Sequence, residues 1–206
     1  MPRKNLIRNS EVPYHIVSRS RNKDWYELPM ELMWCISMES FKYALGKHNA
    51  FIHAFVLMSN HYHLLITTPD ANIDKFMFEF NRKFSERVRE NSIRINQIFG
   101  GRYKWSLVKN SSYLSTVYRY IYRNPCEAGI VDLVEEYSYS TLRALDIPFP
   151  IIDLLDAPFS EQLKFFNEMA QKNERDLIRK GMKKKFFEAP INRVSREKEF
   201  LPIMCA

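Results

Sequence analysis

Residues 55–68, Phe-Val-Leu-Met-Ser-Asn-His-Tyr-His-Leu-Leu-Ile-Thr-Thr, decide the fold. An apolar run from Phe55 to Met58, a polar pair Ser59-Asn60 and an alternating run from His61 to Ile66 predict two strands joined by a tight hairpin. Side chains alternate faces along a strand, so His61 and His63 leave on one face, their Cα atoms ~6.5 Å apart, and Tyr62 leaves on the other. Two imidazoles side by side on a rigid element can hold one metal ion. A single strand histidine is more often a hydrogen-bonded, half-buried residue than a ligand, so the pair needs partners elsewhere in the chain. Cys35, Cys126 and Cys205 are far apart and His53 precedes a different strand segment, so no zinc spacing surrounds the pair. Oxygen ligands must complete any shell.

Outward from the hairpin, Val12–Arg19 reads as a first strand, with Tyr14, Ile16 and Ser18 on one face and His15, Val17 and Arg19 on the other. Met33, Ile36, Phe41, Ala44 and Leu45 recur at helical spacing between Pro29 and His48. After the hairpin, Ile73, Phe76, Met77, Phe80, Phe84 and Val88 form the stripe of a second amphipathic helix. Gly100-Gly101 break that pattern, and residues 102–108 alternate as a fourth strand. Strand, helix, strand, strand, helix, strand closes into an α+β, ferredoxin-like (RRM-like) antiparallel sheet with both helices on one face. The other face is then expected to be open to a ligand.

From Ser111 the chain predicts a third helix with the stripe Leu114, Val117, Tyr118 and Ile121, ended by Pro125. Tyr120 and Asn124 lie four apart on one helix face, as do Arg119 and Arg123. The segment Glu135–Leu145 is expected to form one more short helix, and Pro148, Pro150 and Pro158 mark a linker-like stretch. A helical extension follows from Ser160 to Lys185, ending in Lys183-Lys184-Lys185. The division is residues 1–146 for the main domain and 147–206 for a basic helical extension that docks on the core, covers the site or holds DNA.

The 206 residues are 46% hydrophobic and 14% aromatic, enough for a substantial core. Lys and Arg outnumber Asp and Glu by 31 to 24, and a pI near 9.3 favours a polyanion, nucleic acid before a membrane surface. No apolar run approaches the ~20 residues that span a bilayer, and the first residues lack a signal peptide's apolar stretch, so the expectation is a soluble cytoplasmic protein. Residues 82–109 carry eight basic residues against Glu86 and Glu90, interleaved with Phe84, Phe99, Tyr103 and Trp105. That mixture suits phosphates and stacked single-stranded bases. The candidate DNA contacts are Arg82, Lys83, Arg102, Tyr103, Lys104 and Trp105, with Arg119 and Arg123 on the third helix.

Phosphoryl transfer onto a tyrosine needs a polarised phosphate and a positioned hydroxyl. A hard divalent cation, Mg²⁺ or Mn²⁺, held by His61, His63 and the amide oxygen of Asn124 keeps positions for water and phosphate oxygens. Tyr120 is the candidate nucleophile. With an ordinary pKa of ~10 it needs help to lose its proton, and no carboxylate stands out as its base. A tyrosine among 11 is more often core or interface than nucleophile.

Three motifs in order, FVLMSNHYHLLI, GGRYKWSLV and YRYIYRNPCEAGIV followed by YSYSTL, resemble the HUH single-tyrosine transposases, most of all the REP-associated tyrosine transposases of bacteria. The likeness covers most of residues 12–142. It implies that His61 and His63 are the paired metal ligands, Asn124 the third ligand position, often Gln in relatives, and Tyr120 the nucleophile. It further implies cleavage of single-stranded DNA at or near hairpins, a covalent 5′-phosphotyrosine, a free 3′-OH for rejoining, and a monomer or homodimer. The chain departs from the family pattern at Ser59, where a proline is usual, and at Glu127, where a basic residue is usual. Rolling-circle initiators share the chemistry but usually carry Lys where this chain has Asn124; a non-catalytic nucleic-acid-binding module on the same scaffold is the alternative of a different class.

Overall fold

The computed structural model describes residues 5–93, 96–143, 146–169, 172–181 and 183–187. Four antiparallel strands, β1 (Tyr14–Arg19), β2 (Phe51–Leu57), β3 (His61–Thr67) and β4 (Lys104–Leu107), form one sheet in the order β2-β3-β1-β4. Met58 N–H donates to the His61 carbonyl across the two-residue Ser59-Asn60 turn at 2.8 Å, so the hairpin forms where the polar pair interrupts the apolar runs. Helices α1 (Met30–Leu45) and α2 (Ile73–Glu90) both pack on one face of the sheet. This is the ferredoxin-like arrangement.

The pleat sorts the side chains. Tyr14 and Ile16 of β1, Phe55 and Leu57 of β2, Tyr62, Leu64 and Ile66 of β3, and Trp105 and Leu107 of β4 point to the helices, where Phe41, Phe76, Phe80 and Phe84 meet them. The stripe read from α2 is buried at every position from Ile73 to Val88. Burying so many large apolar groups at about 25 cal/mol per Å² makes this layer the principal source of stability.

The opposite face is not open, which corrects the expectation. Helix α3 (Ser111–Tyr122) lies across it, and Val117, Tyr118 and Ile121 bury Ala54, Val56 and Leu65 in a second apolar layer with Phe166 of α5 (Phe159–Asn167). The apolar stripe of α3 is as strong as that of a core helix, and such a stripe needs a partner. Between them, α4 is one turn, Asn124–Glu127. Among the described residues a cleft opens on this face at the end of the strands where β1 and β3 carry Arg19, His61 and His63.

One further expectation changes and two are made specific. The described part of this segment, 135–143, is not a helix: after one 3₁₀ turn at Val134–Glu136 the chain passes beside β2, with Leu57 N–H donating to the Tyr139 carbonyl at 3.0 Å and Thr141 N–H to the Phe55 carbonyl at 2.9 Å, and residues 144 and 145 lie outside the described residues. An edge strand's unpaired backbone groups outweigh weak local helix propensity. Among the described residues the helical extension read from 160 to 185 consists of two helices, α5 and α6 (Lys172–Gly181). The extension docks on the core: Ile152 N–H bonds the Ile52 carbonyl on the β2 edge, and Phe187 N–H bonds the Leu107 carbonyl on the β4 edge. Both sheet edges are thereby covered. Arg94 and the tail from residue 188 lie outside the described residues.

Candidate active site

β3 aims His61 and His63 at the accessible end of the sheet, and each ring is fixed through its Nδ1 atom. His61 Nδ1 stands 2.7 Å from Asn60 Oδ1. Asn60 is itself held, its Nδ2 donating to the Lys23 carbonyl at 2.8 Å. His63 Nδ1 stands 3.0 Å from Nε2 of His15, which lies on β1 two residues before Val17, the direct partner of His63. Both Nδ1 atoms being engaged, Nε2 of each ring is the atom left for a ligand. Burial lowers the His61 pKa to about 4, with the nearby Arg19 charge adding to it, and holds His63 well below the usual histidine value. The pair is neutral at neutral pH, the state a ligating imidazole requires.

Tyr120 comes to this pair from the last turns of α3. Its ring centroid lies 5.5 Å from that of His63 and 5.9 Å from that of His15, edge to face in both cases. Burial raises the phenol's pKa, and the Arg179 guanidinium of α6, hydrogen-bonded to it, opposes that rise together with Arg19. Four residues on, Asn124 donates its Nδ2 to the Tyr120 carbonyl at 2.6 Å. The amide closes the end of α3 and leaves Oδ1 as its acceptor for a ligand.

His61, His63, Tyr120 and Asn124 line one cleft of about 800 Å³. Its walls carry Arg19, Lys23, Arg102, Lys104, Arg179 and Lys183 against the carboxylate of Glu127. Gly100 lets the rim close, because a Cβ there would stand 3.2 Å from the Ser20 carbonyl oxygen and 3.3 Å from Arg21 Cα. Among the described residues no cluster of three or more His, Cys, Asp or Glu is placed to hold a metal. The donors present, two imidazole nitrogens and one amide oxygen, nevertheless fit a divalent cation that takes its remaining ligands from water and phosphate.

The structure divides the sequence-predicted DNA contacts. Arg102 and Lys104 line the cleft. Tyr103 and Trp105 do not: they point into the helix-side core, Trp105 packing edge-on against Tyr14. Arg82 and Lys83 ride on α2, behind the sheet, in ion pairs with Glu79 and Glu86. Arg119 lies over the Phe165 ring, 4.7 Å from its centroid. Arg123 is buried, its Nη1 donating to the Asn167 carbonyl at 2.8 Å and its Nη2 lying 3.5 Å from Glu127. Alternation alone separates Arg102 and Lys104 from Tyr103 and Trp105. What composition hid, the pleat resolves.

Sequence reasoning missed His15, Asn60, Arg19 and Arg179 as parts of the site. The first-strand alternation already put His15 and Arg19 on one face; the missing piece was the register that pairs Arg19 with His61. Nothing in the sequence points to Arg179.

Residues 9–124, more than half of the chain, match the family described as "Transposase IS200 like". No curated protein matches significantly. A solved structure of a REP-associated tyrosine transposase bound to a REP hairpin aligns with a TM-score of 0.61 at 19% identity, over 68% of this chain and 82% of that one, and shows the same fold. The matched segment runs from the first strand through both histidines to Tyr120 and Asn124, and the chain belongs to the IS200-like transposase family.

Proposed function

We propose that this transposase cleaves and rejoins single-stranded DNA at or near hairpins through a covalent 5′-phosphotyrosine on Tyr120. The observation that carries the reading is the meeting of Tyr120, His63, His61 and Asn124 in one basic cleft. Because Tyr120 and His63 of one chain stand ring to ring and line one cleft with His61 and Asn124, the reading needs no second copy. The nuclease unit corresponds to residues 1–146, with 147–206 as an extension that lends Arg179 and Lys183 to the cleft wall.

The chain's own residues do the following. Arg19, Arg102, Lys104 and Lys183 bind and orient the DNA backbone by charge-assisted contacts. Arg179 stabilises the phenolate of Tyr120 as its proton passes to solvent. The Tyr120 oxygen forms a bond to phosphorus, the bond from phosphorus to the 3′-oxygen of the preceding nucleotide breaks, and that oxygen takes a proton from water to become a free 3′-OH. In rejoining, a 3′-OH attacks the phosphotyrosine and Tyr120 recovers its proton. The ester keeps the energy of the broken bond, so no nucleotide cofactor enters. Mg²⁺ or Mn²⁺ held by His61, His63 and Asn124 would polarise the phosphate and stabilise the charge that builds on its oxygens.

The test is cleavage of end-labelled single-stranded hairpin oligonucleotides with Mn²⁺, with Mg²⁺ and with chelator, alongside Tyr120→Phe. Expected is metal-dependent cleavage with a slow-migrating protein–DNA species, both absent from the variant. Tight binding without cleavage under every condition marks the chain as a nucleic-acid-binding module on a transposase scaffold.

A further inference from the structure

The contact between His15 and His63 sits at the centre of the site, yet the proposed reaction steps give His15 no role. His15 is 2% exposed, beneath the Tyr120 ring and beside His63. Its ring plane lies within 9° of the His63 plane, with centroids 5.3 Å apart and Nε2 3.0 Å from His63 Nδ1. Those values exclude face-to-face stacking. The centroid separation exceeds the nitrogen separation by about one ring radius at each end, so the rings are coplanar and the nitrogens meet along a lone-pair direction. A neutral imidazole has one donor and one acceptor nitrogen, and a hydrogen bond at one nitrogen fixes the role of the other.

We propose that His15 is the positioning residue of His63: its Nε2 accepts the Nδ1–H of His63 and thereby holds the His63 Nε2 lone pair toward the cleft. The proposal rests on the reading of His61 and His63 as metal ligands. Asn60 serves His61 in the same way through a carbonyl oxygen. The two ligands are thus set by different acceptors, one on the hairpin turn and one on the neighbouring strand. Outer partners of this kind typically change metal affinity 10–100-fold. A carbonyl or carboxylate is the more common partner. A buried imidazole brings no charge and, when it accepts at Nε2, carries its own proton on Nδ1.

The variants that separate acceptor from packing are His15→Gln, whose Oε1 reaches the place of the lost Nε2, and His15→Phe, which fills the volume with no acceptor. Mn²⁺ alone is titrated into each protein and free Mn²⁺ is read by electron paramagnetic resonance, with His63→Ala as the control for the ligand itself; ¹⁵N ring spectra of the metal-free proteins report the His63 tautomer. Expected is Mn²⁺ affinity 10–100-fold weaker in His15→Phe and within a few-fold of wild type in His15→Gln, with His63 in the Nδ1–H form in wild type and His15→Gln. Equal weakening by Gln and Phe, or an Nε2–H tautomer in the wild type, overturns the proposal. So does unchanged affinity in His15→Phe when His63→Ala loses the ion. If His63→Ala also binds Mn²⁺ as wild type does, the ligand reading itself falls and His15 falls with it.

Discussion

Replacing Arg123 with methionine distinguishes a structural cation from a DNA contact. The side chain is 9% exposed; Nη1 reaches the Asn167 carbonyl at 2.8 Å and the Phe166 carbonyl at 3.4 Å, and Nη2 lies 3.5 Å from Glu127. Those carbonyls end α5, where a helix has no internal donors left and the dipole favours a cation. One good hydrogen bond from a charged donor contributes about 1.5–3 kcal/mol, and the longer one and the partly screened pair add less. Methionine keeps most of the buried volume and removes the cost of burying a charge, so the net loss is about 2–4 kcal/mol. For a chain of this size that lowers the melting temperature by about 5–15 °C. Urea unfolding measures the loss, and fluorescence anisotropy with a labelled hairpin oligonucleotide measures binding at a temperature where both proteins are folded. Undiminished stability with DNA affinity reduced tenfold would refute the reasoning and return Arg123 to the phosphate contacts.

Three other outcomes follow from the same geometry. Alanine at Arg102 or Lys104 should weaken hairpin binding and reduce the slope of log affinity against log salt by about one each, whereas Arg82→Ala, behind the sheet, should leave the slope unchanged. Arg179→Ala should raise the Tyr120 pKa, since Arg179 lowers it, so cleavage falls at neutral pH by roughly tenfold and recovers as the medium is made alkaline. Acid should destabilise the fold: His15 and His53, depressed by burial to about 3 and about 4, stay neutral when folded but take up protons when unfolded, so the stability they contribute is whole above pH ~6.5 and is lost as pH falls toward 4. Denaturant unfolding at pH 7 and pH 5 should differ by about 1–2 kcal/mol for each such histidine, and His53→Gln should remove its share.

Much of this architecture was legible because each element carries its own period. The α2 stripe from Ile73 to Val88 buries as its spacing demands. The hairpin lies where Ser59-Asn60 interrupt two apolar runs, and alternation placed His61 and His63 on one face opposite Tyr62. What escaped depends on partners distant in the chain. Residues 137–141 have no strong pattern of their own and pass beside the β2 edge, some eighty residues earlier. Arg123 looked like a surface cation until α5 arrived to bury it. The basic and aromatic mixture of residues 102–105 was read as one patch, although the pleat sends Arg102 and Lys104 to the cleft and Tyr103 and Trp105 to the core. Among the described residues no helix is long and apolar enough to cross a membrane, in keeping with the sequence.

Tyr120, one of 11 tyrosines, is the proposed nucleophile of this cleft. Its most direct test is mass spectrometry of the protease-digested product formed from wild-type protein, Mn²⁺ and a single-stranded hairpin oligonucleotide. Expected is a peptide containing Tyr120 that carries the 5′-phosphate of the downstream strand on its phenolic oxygen, with the upstream strand released as a 3′-OH. Cleavage that leaves no nucleotide on the protein, or attachment to any other residue, would contradict it.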